Sequence, residues 1–142
     1  MAFQLPYDFG CPDVLIVREL RSLDVQGLVE KGLLILELEE DGVTEVLKLA
    51  ARYERPSRVD LFALVLCKRR GCTLVTGDGP LREAADKEGV TVHGLLWLLD
   101  RMVEHAVLCP SMAYAALQTM LDKGARLPRK EVDLRLTRWG GQ

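Results

Sequence analysis

Short apolar runs alternate along this chain with longer segments whose apolar residues recur at helical spacing. The runs have strand length and cover residues 7–11, 33–38, 73–76 and 90–92. The longer segments, such as residues 14–23 and 61–70, place apolar residues three and four positions apart. Strands that alternate with helices need crossover connections. The pattern therefore predicts a three-layer α/β/α fold with a parallel sheet covered on both faces.

Capping residues predict where several helices begin. Asp41 opens one helix, and the stretch SRVD at residues 57–60 is typical of a capping box for the next, which is predicted to continue until Gly71. Asp78, followed by Pro80, caps the helix after the third strand, because its side-chain oxygen can accept from the N–H groups of the first turn. Ser111 is predicted to cap a further helix after Pro110. These signals are local and favour definite boundaries.

The whole-chain numbers limit the class of protein. With 142 residues, 49% hydrophobic and 28% charged, the chain is expected to form one soluble domain over residues 1–142, in which residues 110–142 are a helical extension packed on the rest. The four cysteines include no CxxC pair, which favours free thiols in a reducing cytoplasm over a zinc site. The chain has neither a signal-peptide pattern nor an apolar run of membrane-spanning length, so a cytoplasmic location without membrane contact is expected.

Three acidic residues lie where a pocket could form. Asp78 follows the third strand, and ligand sites of open α/β sheets lie beyond the carboxyl ends of the strands. Glu19 and Asp60 lie on the apolar stripes of their helices, where an acid usually needs a partner. Simpler interpretations stay open: Asp60 and Asp78 can be helix caps, and Glu19 can pair with a surface arginine. The three placements together favour a bound cation.

Two stretches carry a resemblance to a known family. The segment PDVLIVREL, and the segment SRVDLFALVLCKRRGCTLVTGDGPLREAADKEGVTVHGLLWLLD, closely resemble the PIN-domain family of metal-dependent ribonucleases, and in particular its bacterial PIN-like branch. The resemblance runs from about Leu5 to the C-terminus, and VTGDGPLREAA and DLFALVLC are its most specific parts. It implies an α/β fold and hydrolysis of RNA phosphodiester bonds.

The resemblance also implies a site. In such proteins, acids on the helix after the second strand, at the start of a later helix and after the fourth strand converge on Mg²⁺ or Mn²⁺. Glu19, Asp60 and Asp78 match these positions, Thr76 matches a small hydroxyl beside the last acid, and Arg82 matches a basic position behind it. Hard divalent cations prefer carboxylate oxygens and keep waters that can act as nucleophiles.

The chain departs from the family at its beginning. The family starts with a strand that ends in an Asp and is followed by a helix, and its strand order is 3-2-1-4-5. This chain shows no such unit, and Asp8 does not replace the acid because it lies at the equivalent of the second strand. Three explanations stay open: the chain is cut short, a partner supplies a strand, or strands two and four close on each other.

The missing Asp leaves two functions open. Three carboxylates suit one metal ion, so the first is a ribonuclease-type domain. The absence of the first Asp puts its catalytic activity in question. The second is a degenerate, non-catalytic PIN-like domain that binds protein or RNA. A homo-oligomer is also expected, because exposed sheet edges invite pairing with another chain. An antitoxin-type partner has only family analogy behind it. The basic residues of stretch 123–138 are interpreted as a solvated helix face, with a phosphate-binding patch as the alternative.

Overall fold

The computed structural model describes residues 2–18 and 24–140, and it confirms the predicted α/β class. The described strands are β1 (Gly10–Pro12), β2 (Leu34–Leu36), β3 (Leu74–Val75) and β4 (Val92–His93). The described helices are α1 (Asp13–Arg18), α2 (Val25–Glu30), α3 (Glu40–Arg52), α4 (Arg58–Arg70), α5 (Gly79–Lys87), α6 (Leu95–Glu104), α7 (Pro110–Asp122) and α8 (Arg129–Gly140), after a 3-10 turn at Ala2–Gln4.

The strands form two parallel pairs. Strand β1 pairs with β2, with Cys11 opposite Ile35, and β3 pairs with β4, with Leu74 opposite Val92. In the strand order 3-2-1-4-5, β1 and β2 correspond to strands 2 and 3, and β3 and β4 correspond to strands 4 and 5. The two observed pairs are therefore the neighbours that lie on either side of the middle strand in that order. Within the described residues β1 and β3 do not pair, so closure of the predicted strands two and four on each other is not observed. All four strands lie at or next to the predicted runs but are shorter.

The chain divides into two compact units. The strand unit is Pro6–His93, and the helical unit combines Met1–Leu5 with Gly94–Gln142. The single-domain organisation inferred from the sequence stays a prediction.

Helix α4 lies at the centre of the strand unit. It contacts α1, α3, α5, β1 and β3, and the side chains of Leu61, Leu64 and Val65 are almost completely buried. Leucine and valine residues of α3, β3 and α5 complete the same apolar core. Burial of apolar surface is the main favourable term in folding, so α4 holds the short strands and the flanking helices in place.

The ends of α4 follow the predicted signals. Ser57 is the N-cap residue and forms the predicted capping box with Asp60. Gly71 ends the helix at φ +67°, a left-handed conformation that glycine adopts without a steric penalty. The start of α5 likewise follows the prediction, with Asp78 as the N-cap residue and Pro80 in the first turn.

Three helix starts differ from the expectations. Helix α3 begins at Glu40, one residue before the predicted Asp41. Helix α7 begins at Pro110 with Cys109 as its N-cap residue, so Ser111 does not cap it; proline suits the first helical position because no N–H is needed there. Helix α2 was not predicted, although Asp24 caps it by accepting a hydrogen bond from the N–H of Gly27.

The helical unit is held by apolar contacts and one well-oriented ion pair. Leu99, Leu117 and Trp139, on α6, α7 and α8, are buried. Arg135 of α8 donates from Nε and Nη2 to the carboxylate of Asp100 on α6, at 2.9 and 2.6 Å. A bidentate pair of this kind fixes orientation as well as distance, so it sets how α8 lies on α6. No helix of the described residues is both long enough and apolar enough to cross a membrane.

Candidate functional site

Asp78 stands where the chain leaves β3 and enters α5. Its Oδ2 accepts a hydrogen bond from the N–H of Leu81 at 2.9 Å, which is the predicted cap. Its own N–H donates to Oγ1 of Thr76 at 3.1 Å. The N–H of Thr76 donates to the carbonyl of His93 at 3.0 Å, which ties the segment to β4. The backbone at Asp78 is therefore fixed from both sides, while its side chain is exposed.

Arg82 lies one turn further along α5. Its N–H donates to the carbonyl of Asp78 at 3.0 Å, and its side chain is exposed. Three predicted site residues, Thr76, Asp78 and Arg82, therefore lie together around the start of one helix. The N-terminus of a helix carries a partial positive charge, so a carboxylate placed there stabilises the helix.

Asp60 occupies the first turn of α4 and is half-buried. Its Oδ2 accepts from the N–H of Ser57 at 3.2 Å, and its N–H donates to the hydroxyl of Ser57 at 3.1 Å. The capping interpretation of Asp60 is therefore confirmed. A cap uses one carboxylate oxygen, so this role does not exclude a second one.

The predicted convergence of three acids is not tested by the described residues. Glu19 lies outside them. Among residues 2–18 and 24–140, no group of three or more His, Cys, Asp and Glu side chains is placed to hold one metal ion. The arrangement of Glu19, Asp60 and Asp78 around an ion stays a prediction.

The two described acids have donor atoms that suit a hard cation. Asp60 and Asp78 each use Oδ2 in the helix cap, and within the described part of the chain Oδ1 of each takes no hydrogen bond. A carboxylate oxygen without a competing donor is the ligand type that Mg²⁺ and Mn²⁺ prefer. The chemistry of the donor set therefore fits the cofactor that the sequence suggests.

A cluster of charged residues around Glu88 was missed by sequence reasoning. Glu88 follows the last turn of α5, and its side chain is only 6% exposed. Its carboxylate accepts from the hydroxyl of Tyr53 at 2.6 Å, from Lys68 at 3.0 Å and from Arg52 at 2.9 Å. We call these four residues the Glu88 cluster. No spacing signal could have revealed it, because its members come from the end of α3, from α4 and from the end of α5.

The Glu88 cluster shifts the acidity of its own members. The hydrogen bond from Tyr53, with those from Lys68 and Arg52 and the positive charge of Lys68, holds the pKa of Glu88 below its ordinary range. The same bond to Glu88, together with burial, raises the pKa of Tyr53. The cluster joins three helices of the strand unit and is a structural arrangement.

The basic stretch at residues 123–138 is partly structural as well. The side chain of Arg135 is only 15% exposed and is engaged by Asp100 and Glu131. Arg126, Arg129 and Lys130 are exposed. Arg135 is thus engaged within the protein, and the interpretation of the other basic residues of this stretch as a solvated helix face stays a prediction.

Comparison with known proteins identifies one family. The sequence model of a family described as a PIN domain matches residues 19–141, which is most of the chain. Neither a curated protein nor a solved structure matches the chain significantly.

Proposed function

The chain belongs to the PIN-domain family, and from that premise we propose that Glu19, Asp60 and Asp78 bind Mg²⁺ or Mn²⁺ for hydrolysis of RNA phosphodiester bonds. Membership in this family indicates a nuclease-type domain, and PIN domains generally depend on a divalent cation. The identity of the metal, the RNA substrate and the residue roles belong to the proposal.

The position of Asp78 is the observation that carries the proposal. Asp78 follows a parallel strand, is exposed and keeps one oxygen without a hydrogen bond within the described residues. Sites of open α/β folds lie at this end of the strands. An acid that served only as a cap could lie at any helix start, whereas this one also lies at the strand end where ligands bind.

The proposed roles follow from side-chain chemistry. Glu19, Asp60 and Asp78 supply carboxylate oxygens to the cation, which when bound polarises the phosphodiester and lowers the pKa of a bound water. Thr76 positions Asp78 through the hydrogen bond to its N–H. The exposed guanidinium of Arg82 offers a bidentate contact to a phosphate of the substrate.

The alternative function is RNA or protein binding without catalysis. The observation that favours it is that Asp60 and Asp78 each already serve as a helix cap, a role that needs no metal ion. The two functions differ in one measurable respect, because only the nuclease needs the cation for turnover.

The test measures metal binding and RNA cleavage with the same variants. At a free concentration of 100 times its Kd, an ion that binds only the folded state adds about 2.7 kcal/mol of stability. Mn²⁺ should therefore raise the melting temperature of the chain, and Asp78→Asn should reduce this rise while keeping the helix cap. The matched control is Asp86→Asn, the same chemical change at an exposed residue of the same helix.

Cleavage is followed with an end-labelled single-stranded RNA of mixed sequence. We expect Mn²⁺-dependent cleavage that falls at least about 100-fold in Asp78→Asn, since loss of a ligand should exceed the 10- to 100-fold effect of outer-shell changes. Asp86→Asn should cleave at the rate of the parent chain. Salt-sensitive RNA binding without cleavage, together with equal thermal shifts in all three proteins, would establish the non-catalytic alternative.

The proposal extends to self-association. Strand β2 exposes 48% of Leu34 and 41% of Ile35, although strands of parallel sheets are normally buried on both faces. A second copy of the chain would cover this surface. Light scattering at high micromolar concentration should therefore give a mass above that of one chain, and a monomer would contradict the extension.

A further inference from the structure

Four helices of the described chain end in the same type of turn. In each, a glycine with positive φ follows the helix, and the N–H of the residue after that glycine donates a hydrogen bond to the carbonyl of the residue five positions earlier. This is the Schellman motif, in which the two residues joined by that hydrogen bond also bring their side chains together. The four glycines are Gly32, Gly71, Gly89 and Gly124.

The residue pairs at these turns differ in chemistry. Three are apolar, as the side-chain contact of this motif favours: Leu28 with Leu33, Ala85 with Val90, and Met120 with Ala125. The fourth pair, at the end of α4, consists of Cys67 and Cys72, joined by a hydrogen bond of 2.9 Å from the N–H of Cys72 to the carbonyl of Cys67. Two thiols therefore occupy the positions where the motif places two side chains in contact.

A second observation supports the closeness of the two sulfur atoms. Burial raises the pKa of Cys67 to about 11, and the neighbouring charge of the Cys72 thiolate contributes to this rise. Cys67 is half-buried against the core, whereas Cys72 is exposed. The two thiols therefore differ in access, which gives them different roles in an exchange reaction.

We propose that Cys67 and Cys72 are a redox modification site that forms a reversible intramolecular disulfide across the turn at Gly71. The oxidant is a small disulfide of the glutathione class. The exposed Cys72 thiolate attacks one sulfur of the oxidant, which breaks its S–S bond and releases one thiolate. The Cys67 thiolate then attacks Sγ of Cys72 and releases the second thiolate. Both released thiolates take up the protons lost by the cysteines, so one disulfide is reduced for each one formed.

The disulfide would join the end of α4 covalently to the first residues before β3. It would not involve Cys109, which is also exposed but has Ser111 as its nearest polar partner at 3.2 Å. Cys109 therefore provides a matched control for exposure alone.

The experiment uses oxidised glutathione on the full chain. After oxidation, remaining thiols are alkylated and the protein is digested with trypsin without reduction. Trypsin cleaves after Lys68, Arg69 and Arg70, so the disulfide would hold together two separate peptides, residues 59–68 and 71–82. We expect this linked pair, which separates on reduction, and a loss of two hydrogens from the intact mass.

Variants and pH sharpen the result. Cys72→Ser should abolish the linked pair and Cys109→Ser should leave it unchanged, with circular dichroism confirming that both variants fold. Because Cys67 must be deprotonated to resolve the mixed disulfide, the rate of linkage should rise about tenfold per pH unit between pH 7 and 9. A stable glutathione adduct on Cys72, a link to Cys11 or Cys109, or thiols that all remain free would each overturn the proposal.

Discussion

The two ends of α5 carry carboxylates with opposite surroundings. Glu88, at its C-terminal end, is nearly buried and receives hydrogen bonds from Tyr53, Lys68 and Arg52. Asp78, at its N-terminal end, is exposed and meets a backbone N–H with one oxygen. Glu88 is nearly buried and has both of its oxygens engaged by protein donors, whereas Asp78 is exposed and keeps Oδ1 without a hydrogen bond within the described residues. The difference separates a structural acid from a candidate functional one on the same helix.

The largest effect that this comparison predicts is a loss of stability at Glu88. Glu88→Ala should lower the free energy of unfolding by about 2 kcal/mol, because it leaves the half-buried hydroxyl of Tyr53 without its acceptor and removes the nearer of the two carboxylates that pair with Lys68, the other being Glu45 at 3.6 Å. Urea denaturation followed by circular dichroism measures the change. Arg52 is largely exposed, so the loss of its ion pair with Glu88 should contribute little to this decrease in the free energy of unfolding. A loss below about 0.5 kcal/mol would show that the Glu88 cluster contributes little to stability.

A smaller effect is expected at the other end of the helix. Asp78→Ala removes the cap and should cost about 1 kcal/mol. Asp78→Asn should cost only a few tenths, since asparagine caps as well as aspartate. Equal losses in the two variants, measured by the same denaturation assay, would mean that the charge of Asp78 and not its hydrogen bond stabilises the helix.

The smallest effect concerns pH. The pKa of Glu88 is lowered in the folded chain from an ordinary value of 4.5, so its ionised form contributes stability that is complete above that value. This contribution is lost as pH falls through the folded pKa, while the side chain itself stays in place. The urea midpoint of the parent chain should therefore fall more steeply than that of Glu88→Gln between pH 5 and 3. If the urea midpoints of the two proteins fell equally over this pH range, the predicted stabilisation by ionised Glu88 would be wrong.

Local signals predicted the parts of the fold that depend on a few neighbouring residues. Ser57, Gly71 and Asp78 mark helix ends because each acts on backbone groups within one turn. The apolar runs likewise located the strands. The wrong prediction that Ser111 caps α7 also concerned only neighbouring residues, since either Cys109 or Ser111 could have preceded the first helical turn.

Long-range arrangements could not be predicted from spacing. The division of the strands into two parallel pairs depends on where the chain returns after each helix. The Glu88 cluster joins residues up to 36 positions apart, and nothing in its sequence neighbourhood distinguishes Glu88 from an exposed acid. The grouping of Thr76, Asp78 and Arg82 was predictable because all three lie within seven residues of sequence around one helix start.

The burial of α4 has a consequence for the motion of its first turn. Leu61 and Leu64, which follow Asp60 directly and after one turn, are almost completely inaccessible and belong to the core of the strand unit. Segments open at free energies that rise with the buried contacts they must break. Fraying that displaced Asp60 would have to disturb these leucines, so it would approach the cost of opening the whole unit. The carboxylate of Asp60 is therefore anchored before anything binds to it, and an incoming ligand would lose little free energy in ordering it.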